Sequence, residues 1–169
     1  MIMGRHANVA VFVPHLGCPQ RCSFCEQNTI TGANHQPPPT PEDVLTAAGV
    51  AAGSARDLTQ TEIAFFGGSF TAINREYMLA LLAAAKSAVE QYGFKGVRCS
   101  TRPDAIDQQV LDVLKSHHVT AIELGAQSMD REVLALNRRG HTPEDTCRAA
   151  GLIRGAGIEL GLQMMTGLY

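Results

Sequence analysis

The chain has 169 residues, a length usual for one domain, and its 45% hydrophobic, 18% charged and 5% aromatic content excludes a disordered or collagenous protein. Fourteen Lys and Arg against sixteen Asp and Glu leave a net charge of −2, so no basic excess marks a phosphate-binding surface, and composition neither supports nor excludes a nucleic-acid partner. The longest apolar stretch, residues 77–85, is too short to cross a bilayer, and the brief run at 9–13 lacks a secretory cleavage site. A cytoplasmic protein with no membrane association is the expectation.

In chain order, a first strand is predicted over residues 8–13, followed by Cys18, Cys22 and Cys25 and by a long loop at 26–39 containing Gly32 and three consecutive prolines. Thr40-Pro41-Glu42-Asp43 then opens a helix: Thr caps, Pro occupies the first helical position, and two carboxylates face the positive end of the dipole. A strand at 62–66 precedes the strongest helix, 75–92, which has Asn74 as its cap, Gly93 as its stop and a body rich in Leu and Ala. A strand at 96–100 and a helix at about 107–117 follow, the latter placing Val110, Leu111 and Leu114 on one face. The strand 119–124, a helix opened by Thr142-Pro143-Glu144-Asp145 and a strand at 158–164 complete the pattern. Alternating strands and helices predict a parallel sheet with right-handed crossovers. The chain stops just after the fifth strand, which implies a domain incomplete at its C-terminus, since parallel strands are normally covered on both faces.

Three of the five cysteines lie within eight residues, as Cys18-Pro19-Gln20-Arg21-Cys22-Ser23-Phe24-Cys25. An odd, clustered set speaks against a disulfide framework and for metal or redox chemistry. The cluster follows the first strand, so it lies at the strand's C-terminal end, where sites collect in barrel-like α/β folds. Three thiolates on one loop suit a cubane iron–sulfur cluster, which commonly takes four, and leave one iron open. Zinc held by the same thiolates with His15 or His35 is the competing reading, set back because zinc sites usually space their ligands in pairs. Three unliganded thiols is a third. Cys99 and Cys147 read as small buried hydrophobes.

C-x3-C-x-Φ-C, with Phe24 before the last cysteine, resembles the radical S-adenosylmethionine (radical SAM) superfamily. A second segment, Phe66-Gly67-Gly68-Ser69-Phe70-Thr71, resembles the glycine-rich strand end that receives the methionine part of SAM in that family. Gly-Gly alone would be only a turn signal; glycine also lets backbone approach a ligand closely. Ser100-Thr101-Arg102-Pro103-Asp104, Glu123-Leu124-Gly125-Ala126-Gln127-Ser128, Arg138-Arg139-Gly140-His141 and residues 157–163 extend the likeness over nearly the whole chain. Together they look most like the branch holding the Elongator catalytic subunit and oxygen-independent coproporphyrinogen oxidase, with Arg-Pro-Asp and Gly-x-Gln-Ser favouring the Elongator side.

The resemblance implies a radical SAM core domain over residues 1–169, a partial parallel (β/α) barrel with about five of its six strands. It implies a [4Fe-4S] cluster on Cys18, Cys22 and Cys25, and SAM bound by Phe24 at its adenine, by Gly67, Gly68 and Ser69, and by Gln127 and Arg139 at ribose and carboxylate. An electron donor such as flavodoxin or ferredoxin would serve it, and tRNA is the substrate class of its Elongator-like relatives. Gln127 also reads as an ordinary rim residue, Arg139 as a surface charge, and His141 as part of a helix entry. Coproporphyrinogen oxidases carry a cysteine where this chain has Gln27 and a glutamate where it has Ser100, which argues against that activity. The acetyltransferase domain of the Elongator subunit has no counterpart within these 169 residues, so a full tRNA-modifying enzyme is not expected of them. A non-catalytic metal module and an inactive fragment are the remaining alternatives.

Overall fold

The computed structural model describes residues 6–14, 22–25 and 37–168. Five strands, β1 (Ala7–Val13), β2 (Thr61–Gly67), β3 (Gly96–Thr101), β4 (Val119–Gln127) and β5 (Glu159–Met164), form one all-parallel sheet in the order β1-β2-β3-β4-β5. Among the described residues five α-helices connect them: α1 (Pro41–Ser54), α2 (Arg75–Tyr92), α3 (Gln108–Ser116), α4 (Arg131–Leu136) and α5 (Pro143–Gly155). Sequential order means that each crossover steps one strand in the same direction. Right-handed connections then stack the helices on one face and leave the other as a concave interior. A doubly wound sheet would reverse its order midway. The expected partial (β/α) barrel is therefore the observed fold.

Strand register sorts the side chains. Val9 and Val11 lie beside Ile63 and Phe65, these beside Val97 and Cys99, and Cys99 beside Ile122. All are buried in the core that Leu81, Leu82, Leu111, Leu114 and Ile153 fill from the helices. The opposite rows carry small or polar residues: Glu62, Ala64, Arg98, Ser100, Ala121, Glu123 and Gly161. A bulge in the β3–β4 pairing aims Thr120 at Glu62, whose carboxylate accepts a hydrogen bond from its hydroxyl at 2.7 Å. Gly96 makes room, since a Cβ there would stand 2.5 Å from Thr120 Cγ2. On β5, Leu162 and Met164 are half-exposed, at 51% and 52%.

Helix termini follow the local chemistry. Thr40 and Thr142 both close capping boxes, with Asp43 and Asp145 reaching back to the cap N–H. Asn74 caps α2, and Gly93, at φ +78°, ends it. Asp107 caps α3, where Leu111 and Leu114 are buried and Val110 is partly buried. Two expectations need correction. Helix α4, capped by Asp130, has no counterpart in the predicted elements. Cys147 is exposed, not buried, because the inward face of α5 is set by Thr146, Ala149 and Ile153, and position 147 lies a further 100° around the helix. Cys99 is buried as expected. Most of the 26–39 loop lies outside the described residues, as do His15, Cys18 and His35.

Candidate cofactor site at the strand C-termini

The C-terminal ends of β2, β3 and β4 and the cysteine segment 22–25 enclose one cleft on the concave side. The structure brings together there Cys22, Phe24, Cys25, Gly67, Gly68, Ser69, Gln127 and Arg139, eight of the nine residues expected at the site. The ninth, Cys18, lies outside the described residues. Among the described residues, no group of three or more His, Cys, Asp or Glu is arranged to hold a metal ion.

Gly67 is required by its surroundings. At φ +116°, a Cβ would stand 2.4 Å from the Val13 carbonyl oxygen and 2.8 Å from the Phe12 ring. The glycine thus serves the close approach of β2 to the end of β1, where the chain leads into the cysteines. That is a different reason from the ligand approach expected of the sequence. The Gly68 N–H donates to the same Val13 carbonyl at 3.0 Å.

Ser69 fastens β2 to β3. The Thr71 hydroxyl donates to the Ala105 carbonyl at 2.7 Å and has no second proton, so Thr101 donates to Thr71 at 2.6 Å and Ser69 to Thr101 at 3.1 Å. Ser69 Oγ in turn accepts the Arg102 N–H at 2.9 Å. Its proton is committed, and its hydroxyl holds the two strand ends level.

Gln127 ends β4 with φ +64°, a left-handed conformation that an ordinary side chain adopts at a cost of about 1–3 kcal/mol. Its carbonyl accepts from the Met165 N–H at 2.9 Å, tying β5 to the strained turn. The side-chain amide lies over Gly125, where an added Cβ would stand 3.3 Å from Nε2.

Arg139 is set by the turn leaving α4. Arg138, at φ +54°, occupies the left-handed position after that helix, and the Arg139 N–H bonds back to the Leu134 carbonyl at 3.0 Å. The Arg139 carbonyl accepts from Arg102 Nη2 at 3.0 Å, and Arg102 Nε also pairs with Asp104. The guanidinium donates from Nη2 to the Gly125 carbonyl at 2.6 Å and from Nη1 to Cys22 Sγ at 3.3 Å. Its Cζ lies 5.7 Å from the centre of the Phe24 ring. Arg139 is thus bound into the cleft rather than solvated on the surface.

Sequence reasoning missed Asn137, which is 1% exposed. Its carbonyl accepts the Ser23 N–H at 3.2 Å, its Oδ1 accepts the Ser23 hydroxyl at 2.6 Å, and its Nδ2 donates to the Val133 carbonyl at 2.8 Å. It missed Glu123 as well, whose carboxylate accepts from Gln163 Nε2 at 2.8 Å, Arg98 Nη1 at 3.2 Å and Ser100 Oγ at 3.4 Å below the cleft. These partners are far apart in the chain, and no local motif announces them.

The donor set fits an iron–sulfur cluster and a polar organic ligand. Thiols are the soft donors such clusters take. Among the described residues, two buried side-chain nitrogens have no hydrogen-bond partner: Arg139 Nε, on a side chain that lines the cleft, and His141 Nδ1, on a residue outside its lining; a polar ligand in the cleft would relieve the first of these costly states. His141 is 4% exposed and donates from Nε2 to the Ala126 carbonyl at 3.2 Å. Burial first, and the neighbouring Arg139 second, hold its pKa below the ordinary histidine value, so the ring is neutral and Nδ1 is an open acceptor.

Comparisons with known proteins agree. The family model of the radical SAM superfamily matches residues 12–169. A tRNA uridine(34) acetyltransferase of Methanocaldococcus infernus is 28% identical over 124 residues, 63% of this chain and 23% of that protein. Elongator complex protein 3 of Saccharomyces cerevisiae is 24% identical over 128 residues, again 23% of its own length. The chain therefore spans about a quarter of these relatives. Among solved structures, an archaeal Elp3 from Methanocaldococcus infernus superposes with a TM-score of 0.67 at 22% identity, covering 96% of this chain and 38% of that one. The coproporphyrinogen III oxidase of Escherichia coli gives 0.61 at 18% identity, covering 94% and 37%. Among the described residues no helix is long and apolar enough to cross a membrane. With the motif cysteines, the glycine-rich strand end and the sequentially ordered parallel strands all present, this chain belongs to the radical SAM superfamily.

Proposed function

We propose that this chain is a radical SAM core domain that binds a [4Fe-4S] cluster through Cys18, Cys22 and Cys25 and reductively cleaves SAM. The observation that supports this most is the cleft in which Cys22 and Cys25 meet Gly67, Gly68, Gln127 and Arg139 at the C-terminal ends of the strands. When bound, the cluster and SAM supply a one-electron reduction of the sulfonium and a carbon radical able to abstract hydrogen. The chain's own residues hold and orient. Phe24 offers a face for the adenine ring, and the backbone at Gly67 and Gly68, with Ser69 fixing its height, lies beside the methionine portion. Gln127 and the remaining N–H groups of Arg139 reach the ribose and carboxylate. Glu123, Ser100 and Gln163 form a polar floor beneath. The strand and loop ends are bonded to one another, so little rearrangement accompanies binding.

The tRNA-modifying relatives make tRNA the substrate class to test first, with a flavodoxin or ferredoxin as electron donor and the cytoplasm as the setting. The decisive experiment reconstitutes the chain anaerobically with iron and sulfide, adds dithionite and SAM, and assays 5′-deoxyadenosine. Product formation, lost in Cys22→Ala together with the visible thiolate–iron absorption, is the expected result. A chain that binds only zinc, with no visible absorption, refutes the proposal in favour of a non-catalytic metal module.

A further inference from the structure

We infer that Arg139 is a positioning residue for the cluster itself: its guanidinium, hydrogen-bonded to the sulfur of Cys22, raises the potential at which the cluster takes up an electron. This rests on the iron–sulfur reading above and adds to it a function for one side chain.

Arg139 Nη1 lies 3.3 Å from Cys22 Sγ, within range of an N–H···S hydrogen bond. The group cannot easily swing away. Nη2 is held by the Gly125 carbonyl at 2.6 Å, Phe24 lies against the guanidinium, and the Arg139 carbonyl is held by Arg102 at 3.0 Å. The sulfur is held too. Ser23, beside Cys22, is bonded through its N–H and its hydroxyl to Asn137, two residues before Arg139. Donor and acceptor therefore belong to one bonded unit, joined across 117 positions of sequence.

Reduction of a [4Fe-4S] cluster adds one electron, supplied by an external one-electron donor, and no proton need accompany it. The product carries one more negative charge, shared with the thiolate sulfurs. A guanidinium stays cationic at every working pH. Placed on a thiolate in a partly buried cleft, it stabilises the reduced form more than the oxidised one. Only part of its hydrogen-bonding capacity is used: two of its five N–H groups reach Cys22 and Gly125, and Nε has no partner. The same side chain can therefore serve the bound nucleoside as well. The two roles separate cleanly, because an effect on the thiolate exists before SAM arrives.

The test is a potentiometric titration, followed by electron paramagnetic resonance, of the reconstituted full chain without SAM. Wild type is compared with Arg139→Met and with Arg139→Gln, which keeps an N–H donor but loses the charge. Iron content and visible absorption verify an intact cluster in each. The expected result is a lower midpoint in Arg139→Met by roughly 59 mV, equivalent to a tenfold smaller one-electron reduction constant, with Arg139→Gln between it and wild type. Should the Met variant fail to load, the Gln variant alone is expected below wild type. Intact clusters with unmoved midpoints, and a SAM affinity that falls nonetheless, overturn the inference and leave the functional proposal standing. A wild-type chain that assembles no four-iron cluster overturns both.

Discussion

The charged floor of the barrel allows a quantitative test. Glu62 is fully buried, yet its carboxylate receives Thr120 Oγ1 at 2.7 Å, Arg98 Nε and Nη2 both at 2.9 Å, and Lys95 Nζ at 3.3 Å. Arg98 also serves Glu123 at 3.2 Å and Glu159 at 3.9 Å. Removing one partner of a buried pair costs about 3–5 kcal/mol, because a charge is left uncompensated. The two deletions are not equivalent. Glu62→Gln leaves Arg98 with Glu123, so its cost falls to about 2 kcal/mol. Arg98→Met deprives two inward carboxylates at once, and the full range of about 3–5 kcal/mol applies. In the double variant Glu62→Gln/Arg98→Met the buried carboxylate is gone before its cation is removed, so the loss is at least about 1 kcal/mol smaller than the sum. Equilibrium urea denaturation at neutral pH measures all four proteins. Losses that add to within about 0.5 kcal/mol, or an Arg98→Met loss below that of Glu62→Gln, would refute this account of the network. Acid provides a second arm. Burial works to raise the Glu62 pKa, but Thr120, Arg98 and Lys95 together hold it below the ordinary carboxylate value. The unfolded chain then takes up the proton first, so the contribution is complete above the unfolded pKa and is lost as pH falls through the native one. Glu62→Gln removes that part of the acid limb.

Gly67→Ala places a methyl 2.4 Å from the Val13 carbonyl at φ +116°; a stability loss above about 2 kcal/mol and poor iron loading are expected, and near-wild-type denaturation with full iron content would contradict the close-approach argument. Gln127→Gly releases the left-handed strain at φ +64° and is expected to gain about 1 kcal/mol while weakening SAM binding by calorimetry; loss of stability would mean that the side chain's contacts outweigh the strain. Burial pushes the Cys99 thiol up to about 12, whereas Cys147 is exposed. Peptide mass spectrometry after alkylation at mild alkaline pH should therefore find Cys147 labelled in the native chain and Cys99 only after unfolding; native labelling of Cys99 would contradict its burial.

What the sequence made legible was whatever depends on neighbours in the chain. The caps of α1, α2 and α5 are set by residues within three positions of each helix start, and all three were readable. Helix α4 was not, because six residues give too little apolar period to see. Strand β4 runs to Gln127, beyond the predicted end at 124, since Gly125 reads as a stop when its inward approach to Gln127 and Arg139 is unknown. The site divides in the same way. Phe24, Gly67, Gly68 and the cysteines belong to compact motifs. Asn137 and Glu123 act through bonds to residues 114 and 40 positions away, which no local pattern encodes. Gly67 was expected to admit a ligand, whereas the atom that excludes a side chain there belongs to β1, which no local motif shows.

The same long-range bonds constrain how the site is assembled. Cys22 and Ser23 stand near the beginning of the chain, yet the groups that hold them are Asn137, Arg138 and Arg139. Those residues take their positions from the left-handed turn after α4 and from Arg102 at the end of β3. The concave floor of Glu62, Arg98 and Glu123 likewise spans β2, β3 and β4 and is complete only when all three are paired. The placement of residues 22–25 is therefore a consequence of the folded barrel, not a nucleus for it. Loop closures of more than a hundred residues are entropically expensive and come late. Ordering of Cys22 beside its guanidinium is thus expected to follow strand pairing, and cluster loading to report on the integrity of residues 137–139 as directly as on the thiols themselves.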